Sequence, residues 1–169
     1  MLYCHSFSIE NYGIISSMNK FAALIFAAAA AGCLGPAPKP PANWTIDVDA
    51  DVKASFVTVC APYGGQRIAV LRQNGSIAFD PCNSFAAAPS SILKDALVSR
   101  GGKLSLVVRR LALDCRAPGQ RDALVELELS SGDRTAKGTA SVPTPDGNYT
   151  SAFSRAFAKA FDEARKGLK

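Results

Sequence analysis

From residue 44 onward the chain is dominated by short runs in which apolar and polar positions alternate. "NWTIDVDA" and "KASFVTVCAPY" carry β-branched and aromatic residues at every second position, the period-two signature of half-buried strands. After the turn "PYGG", the short runs "RIAVLR" and "SIAFD" are joined by "QNG". Asn74-Gly75 suits the corner of a tight hairpin, because both central residues of the favoured turn need positive φ. "PCNSFAAAP" interrupts the alternation and predicts a loop. The period then lengthens, and "PSSILKDALVSRGG" predicts a helix opened by Pro89 and its serines and stopped by Gly101-Gly102. "KLSLVVRRLALDC" and "DALVELELSS" predict two long strands around the turn "RAPGQR". In the second of them Ala123, Val125, Leu127 and Leu129 share one face, and Glu126 and Glu128 face water. "TAKGTASV" predicts a further antiparallel strand across "SGDR", and "PTPDGN" breaks the chain again.

The final segment, "YTSAFSRAFAKAFDEARKGLK", has a different rhythm. Phe153, Phe157 and Phe161 recur every four residues beside Ala152, Ala156, Ala160 and Ala164. This spacing makes one apolar stripe on an α-helix, with Arg155, Lys159, Asp162, Glu163 and Arg165 off it. A stripe of that kind is expected to dock on the sheet. Together the elements predict one α/β domain of the α+β sandwich type. Its sheet is mainly antiparallel or mixed and carries two helices, the C-terminal one amphipathic. No internal repeat or second core pattern divides it.

The segment "MNKFAALIFAAAAAGCLG" at residues 18–35 belongs to neither pattern. Lys20 is followed by 12 apolar or small residues, Phe21 to Gly32, fewer than the roughly 20 that a spanning helix needs. A basic flank, a short apolar run and small residues form the grammar of an export signal. Here the run ends in Ala30-Ala31-Gly32-Cys33, which resembles the lipobox of bacterial lipoproteins, with Cys33 as the lipidated mature N-terminus. The Pro-rich "LGPAPKPPAN" that follows has the composition of an extended tether. The expected organisation is therefore a signal region at 1–32 with its start at Met18, an anchor and tether at 33–43, and a folded domain at 44–169.

Composition narrows the chemistry. The formal charge of +5 comes from basic residues spread among acidic ones, not from the basic stripe with interleaved aromatics that nucleic-acid binding wants. The one histidine, His5, lies in the expected signal region, so a serine nucleophile in the mature domain has no histidine base. Glu126 with Glu128, and Asp162 with Glu163, read as solvated surface and not as a general acid–base pair. Gly64-Gly65 and Gly101-Gly102 lack the flanks of a phosphate-cradling loop. Arg109 and Arg110, alternating across a strand, can send at most one side chain inward. No catalytic residue, metal site or cofactor is expected. Export places Cys60, Cys82 and Cys115 in an oxidising compartment. Cys60 and Cys82 flank the base of the hairpin and are the expected disulfide, with Cys115 as the alternative partner of either.

One stretch carries a family resemblance. "VTVCAPYGGQRIAVLRQNGSIAFDPCNSFAAAPSSILKDAL" resembles the ABC-type transport auxiliary lipoproteins, the paraquat-inducible protein C-like group. The likeness lies in the Pro62-Tyr63 turn, the "RIAVLR" and "SIAFD" strands, and an aromatic and Pro before a helix at "PSSILKDAL". With "LSLVVRRLALDC", the "ELEL" strand and the Ala/Phe helix it covers roughly 56–166. The resemblance implies a non-catalytic envelope lipoprotein, acting beside ABC transporter subunits and an Mce-type lipid-binding protein to move lipid between two membranes. Such a component works as an adaptor or a ring-forming homo-oligomer. Outer-membrane anchorage is expected, because Leu34 replaces the Asp that often retains lipoproteins at the inner membrane. The alternative is a free-standing outer-membrane lipoprotein whose domain binds a small ligand or peptidoglycan. For partner binding, Tyr63 and Phe85 are the expected residues, as aromatics exposed in turns.

Overall fold

The computed structural model describes residues 42–48, 53–144 and 147–169. The described chain runs β1 (Ala42–Trp44), β2 (Ala54–Val59), β3 (Arg67–Arg72), β4 (Ile77–Phe85), α1 (Pro89–Leu97), β5 (Leu104–Cys115), β6 (Asp122–Ser131), β7 (Arg134–Pro143) and α2 (Tyr149–Gly167). It is a single α+β domain with a mixed seven-stranded sheet and two helices.

β5 organises the sheet. β6 pairs antiparallel along nearly its whole length, from Ser105↔Ser130 to Asp114↔Asp122. The opposite edge of β5 is shared by two parallel strands, β2 on Leu104–Val108 and β3 on Ala112–Cys115. Beyond β3 come β4 and then β1, giving the order β1-β4-β3-β5-β6-β7 with β2 beside β5. Crossovers join the parallel pairs, as parallel pairing requires.

The C-terminal helix lies on one face of β6 and β7. Every apolar residue of its stripe is buried: Ala152, Phe153, Ala156, Phe157, Ala160, Phe161 and Ala164. Across the β6–β7 ladder Ala123, Val125, Leu127 and Leu129 pair with Val142, Ala140, Gly138 and Ala136, and all four β6 residues are buried. Small residues on β7 let the helix come close. A Cβ on Gly138 would stand 1.8 Å from the carbonyl oxygen of Ala160, so only glycine permits this approach. Asn148 caps the helix, its side chain accepting the Ser151 N–H at 3.1 Å.

Three expected boundaries shift, each for a visible reason. Of the described residues of "NWTIDVDA", only Asn43 and Trp44 are strand, as the end of β1. Beyond it the Thr45 and Asp47 N–H groups donate to Thr150 Oγ1 and Ser154 Oγ of α2, not to a neighbouring strand. The expected loop "PCNSFAAAP" is strand as far as Phe85, because Asn83, Ser84 and Phe85 pair in parallel with β1. α1 stops at Leu97, ahead of the glycines. Val98 turns extended and bridges Ala54 of β2, and the Ser99 N–H donates to the Ala54 carbonyl.

Candidate functional site

The two aromatics expected at a partner surface are core residues, which corrects the reading of their turns. Tyr63 is 7% exposed and Phe85 2%. The Tyr63 N–H closes a turn onto the Cys60 carbonyl, and Ser90 Oγ of α1 donates to the Gly64 carbonyl at 3.1 Å. That bond fastens the turn to the start of α1 and leaves the ring inward. Phe85 ends a paired strand, and its ring meets Phe153 of α2 edge-on.

Cys60, Cys82 and Cys115 are free thiols in the structure, so the expected Cys60–Cys82 bond is not formed there. Cys60 follows β2, its N–H donating to the Val108 carbonyl of β5. Cys82 lies exposed in β4, and Cys115 is half-buried opposite Arg72. Cys33, the expected lipidation site, lies outside the described residues, as do His5 and the signal region.

Three arrangements of side chains stand out. The first joins β1, β4 and α2. Asp80, with a side chain only 3% exposed, pairs with Arg121 at 3.0 Å. It also accepts the Cys82 and Asn83 N–H groups and the Asn83 side-chain amide. The Arg121 guanidinium lies 5.3 Å from the Tyr149 ring centre. Trp44 also packs against Tyr149, with ring centres 5.2 Å apart, and donates its indole N–H to Asn83 Oδ1. Burial pushes the Tyr149 phenol above its ordinary value, although nearby Arg121 pulls it down. Asp80, Arg121, Asn83 and the Trp44 indole are linked in one hydrogen-bonded chain, so the cluster reads as a structural clamp.

The second is a pair of ion pairs produced by a β-bulge. The β5–β6 register slips between Val108 and Arg110, leaving Arg109 as the extra residue. A bulge turns neighbouring side chains toward the same side. Arg109 accordingly reaches Glu128 at 3.1 Å while Arg110 binds Glu126. The expectation that these arginines alternate fails here, and both glutamates are half-buried ion-pair partners. Beside them, the hydrogen-bonded Arg116 guanidinium holds the Asp114 carboxyl below the usual carboxylate range.

The third is an apolar groove that the sequence pattern did not single out. Phe56 is 54% exposed and Val98 45%, and both line a groove of about 540 Å³ with Ser55, Val57, Lys94 and Asp95. Strand alternation hides Phe56, since Phe56 and Val57 are both apolar while only Val57 faces the core. Among the described residues there is no group of three or more His, Cys, Asp or Glu side chains able to hold a metal ion. No described helix is long and apolar enough to cross a membrane.

No protein-family model matches the chain, and no curated protein matches it. Several solved structures are similar to the chain, among them these two. One is a Xanthomonas campestris protein described under the family model DUF330, 18% identical, with a TM-score of 0.48 over 72% of this chain and 86% of that one. The other is an uncharacterized protein, 12% identical, with a TM-score of 0.53 over 76% of this chain and 97% of that one. What the second shares with this chain is the fold.

Proposed function

We propose that the protein is a non-catalytic envelope lipoprotein serving as the auxiliary component of an ABC, Mce-type lipid transport system. The observation that carries the reading is the order of parts along the chain. An apolar run closing on Gly32-Cys33 is followed after a Pro-rich stretch by one α+β domain whose first strand starts at Ala42, nine residues beyond that cysteine. The family resemblance in 56–166 falls on that domain. Its order of a strand, a hairpin, a helix, three antiparallel strands and a closing Ala/Phe helix agrees with the resemblance. A lipid on Cys33 would hold the domain beside the outer membrane. Stable anchorage takes at least two acyl chains, at about 0.8 kcal/mol per buried methylene.

In this role the domain recognises partners by its surface. Tyr63 and Phe85 support the fold, and partner contact belongs to exposed positions instead. A deletion strain tests the reading. Loss of the protein should make the envelope permeable to detergent and bile-type amphiphiles. Wild type should restore the barrier, and Cys33→Ser, released from the membrane, should not. An intact barrier in the deletion strain, or full rescue by Cys33→Ser, would contradict it.

A further inference from the structure

We propose that the cavity at the start of β6 is a binding site for a primary ammonium group, with Asp122 as its counter-ion. The inference is independent of the transport reading.

Asp122 heads β6 between two strands, opposite Asp114 of β5 and Pro143 of β7, and is 6% exposed. Its carboxylate is satisfied on one side only. Oδ2 accepts the Gln120 side-chain amide at 2.7 Å and the Ser141 hydroxyl at 3.1 Å. Oδ1 is buried with no hydrogen-bond donor. Buried polar oxygens ordinarily have a donor, and leaving one without is costly. Neighbouring charge deepens the deficit. Asp114 stands directly across the ladder, and like charges so placed repel. Arg116 is bound to both oxygens of Asp114, and Arg121 is turned to Asp80. Asp122 has no cationic partner among the described residues.

The space beside it shows which kind of cation fits. Asp122 lines a cavity of about 440 Å³ with Gly119, Gln120, Thr144 and Gly147. That volume falls in the range of small-molecule sites, roughly 300–1,000 Å³. Thr144 is buried as well, and its hydroxyl donates to the Arg121 carbonyl at 2.6 Å, which leaves its own lone pairs to accept. The cavity therefore offers acceptors, and its ligand must bring the N–H donors. A guanidinium prefers both oxygens of a carboxylate at once, and Oδ2 is already taken. A quaternary ammonium has no N–H to give. A metal ion wants several ligands, and no group of three acidic, cysteine or histidine side chains is gathered among the described residues. A primary ammonium, a compact charge with three donors, meets each condition. It can arrive on a soluble amine or on the ethanolamine headgroup of a lipid.

The test is calorimetric titration of the full-length protein in detergent with phosphoethanolamine and with phosphocholine, its trimethylated counterpart. Phosphoethanolamine should bind, and phosphocholine should bind about tenfold more weakly or not at all. Asp122→Asn keeps the shape of the side chain and should lose about tenfold or more in affinity for phosphoethanolamine. A thermal melt shows whether that variant keeps its fold. If it unfolds, carbodiimide coupling of ethanolamine to the wild-type protein still gives the answer, because a bound amine is joined to the carboxylate it touches. Peptide mapping should then find the new amide on Asp122 ahead of the exposed carboxylates. Micelles doped with phosphatidylethanolamine separate the two sources. Tighter binding of the lipid than of phosphoethanolamine assigns the site to a headgroup, and equal or weaker binding to a soluble amine. No binding of phosphoethanolamine, equal binding of phosphocholine, or full affinity in a folded Asp122→Asn would overturn the proposal. So would an Asp122 left unlabelled, with an internal water as the partner of Oδ1.

Discussion

Phe85 at the end of β4 packs edge-on against Phe153 in the first turns of α2, with ring centres 5.4 Å apart at 62°. Both side chains are fully buried. The pair joins the strand that β1 completes to the helix that closes the fold. Phe85→Ala and Phe153→Ala should each lower stability by about 3–5 kcal/mol in urea unfolding. A double-mutant cycle should return a coupling of roughly 0.5–1.5 kcal/mol. A loss below about 1 kcal/mol for Phe85→Ala would mean that its ring is not core.

Gly138 and Gly65 make opposite expectations for the same substitution. A methyl at Gly138 collides with the Ala160 backbone, which cannot move without α2. Gly138→Ala should therefore cost about 1–3 kcal/mol or more. At Gly65 a Cβ meets nothing within 4 Å. Gly65→Ala should be neutral or stabilise by up to about 1 kcal/mol, through the unfolded chain. Thermal melts of the two variants check the contrast, and equal effects would contradict the close helix–strand approach.

The Asp80–Arg121 pair is lopsided in burial, 3% against 47% exposure of the side chains. Asp80→Ala removes the acceptor of two backbone N–H groups and a side-chain amide, each worth about 1–3 kcal/mol where it stays buried, and should cost about 3 kcal/mol or more. Arg121→Ala leaves a carboxylate still holding three hydrogen bonds and should cost clearly less. Denaturant midpoints of the two variants measure the difference. The reverse order would show that the guanidinium, and not the carboxylate, organises the clamp.

Stability should fall at both ends of the pH scale for separate reasons. Asp114 titrates below its ordinary value in the folded protein, because of Arg116. Its contribution is present above the unfolded carboxylate pKa of about 3.9 and is lost as pH falls through the lower folded value. Tyr149 titrates above its ordinary value, because of burial. Its contribution is present below the unfolded phenol pKa of about 10 and is lost as pH rises from there through the folded value. Melting temperature against pH should lose its alkaline decline in part in Tyr149→Phe and its acid decline in part in Asp114→Asn. An unchanged profile in either variant would contradict that assignment.

Much of the fold was legible because local periodicity carried it. The four-residue recurrence of Phe153, Phe157 and Phe161 marked a helical stripe whose expected place is against the sheet, and the alternation from Ala123 to Leu129 marked a half-buried strand. Positions set by distant pairing were not legible. Phe85 is buried because β1, about 40 residues earlier, pairs with "NSF" and converts an apparent loop into strand. Tyr63 is buried by a turn that Ser90 fastens to α1. Alternation cannot register an extra residue, so the bulge that turns Arg109 and Arg110 to one side left no trace in the pattern. The groove at Phe56 and Val98 was hidden for a related reason, since an apolar residue in a strand looks the same whether its face is covered or open.

The central claim is that the chain works beside a lipid transporter, and affinity purification from detergent-solubilised native membranes tests it most directly. Tagged full-length protein should bring down the ATPase, permease and Mce-type subunits together in stoichiometric yield, and Cys33→Ser, no longer held at the membrane, should bring down far less. Recovery of the wild-type protein without any of those subunits, or with peptidoglycan fragments in their place, would contradict the transport account.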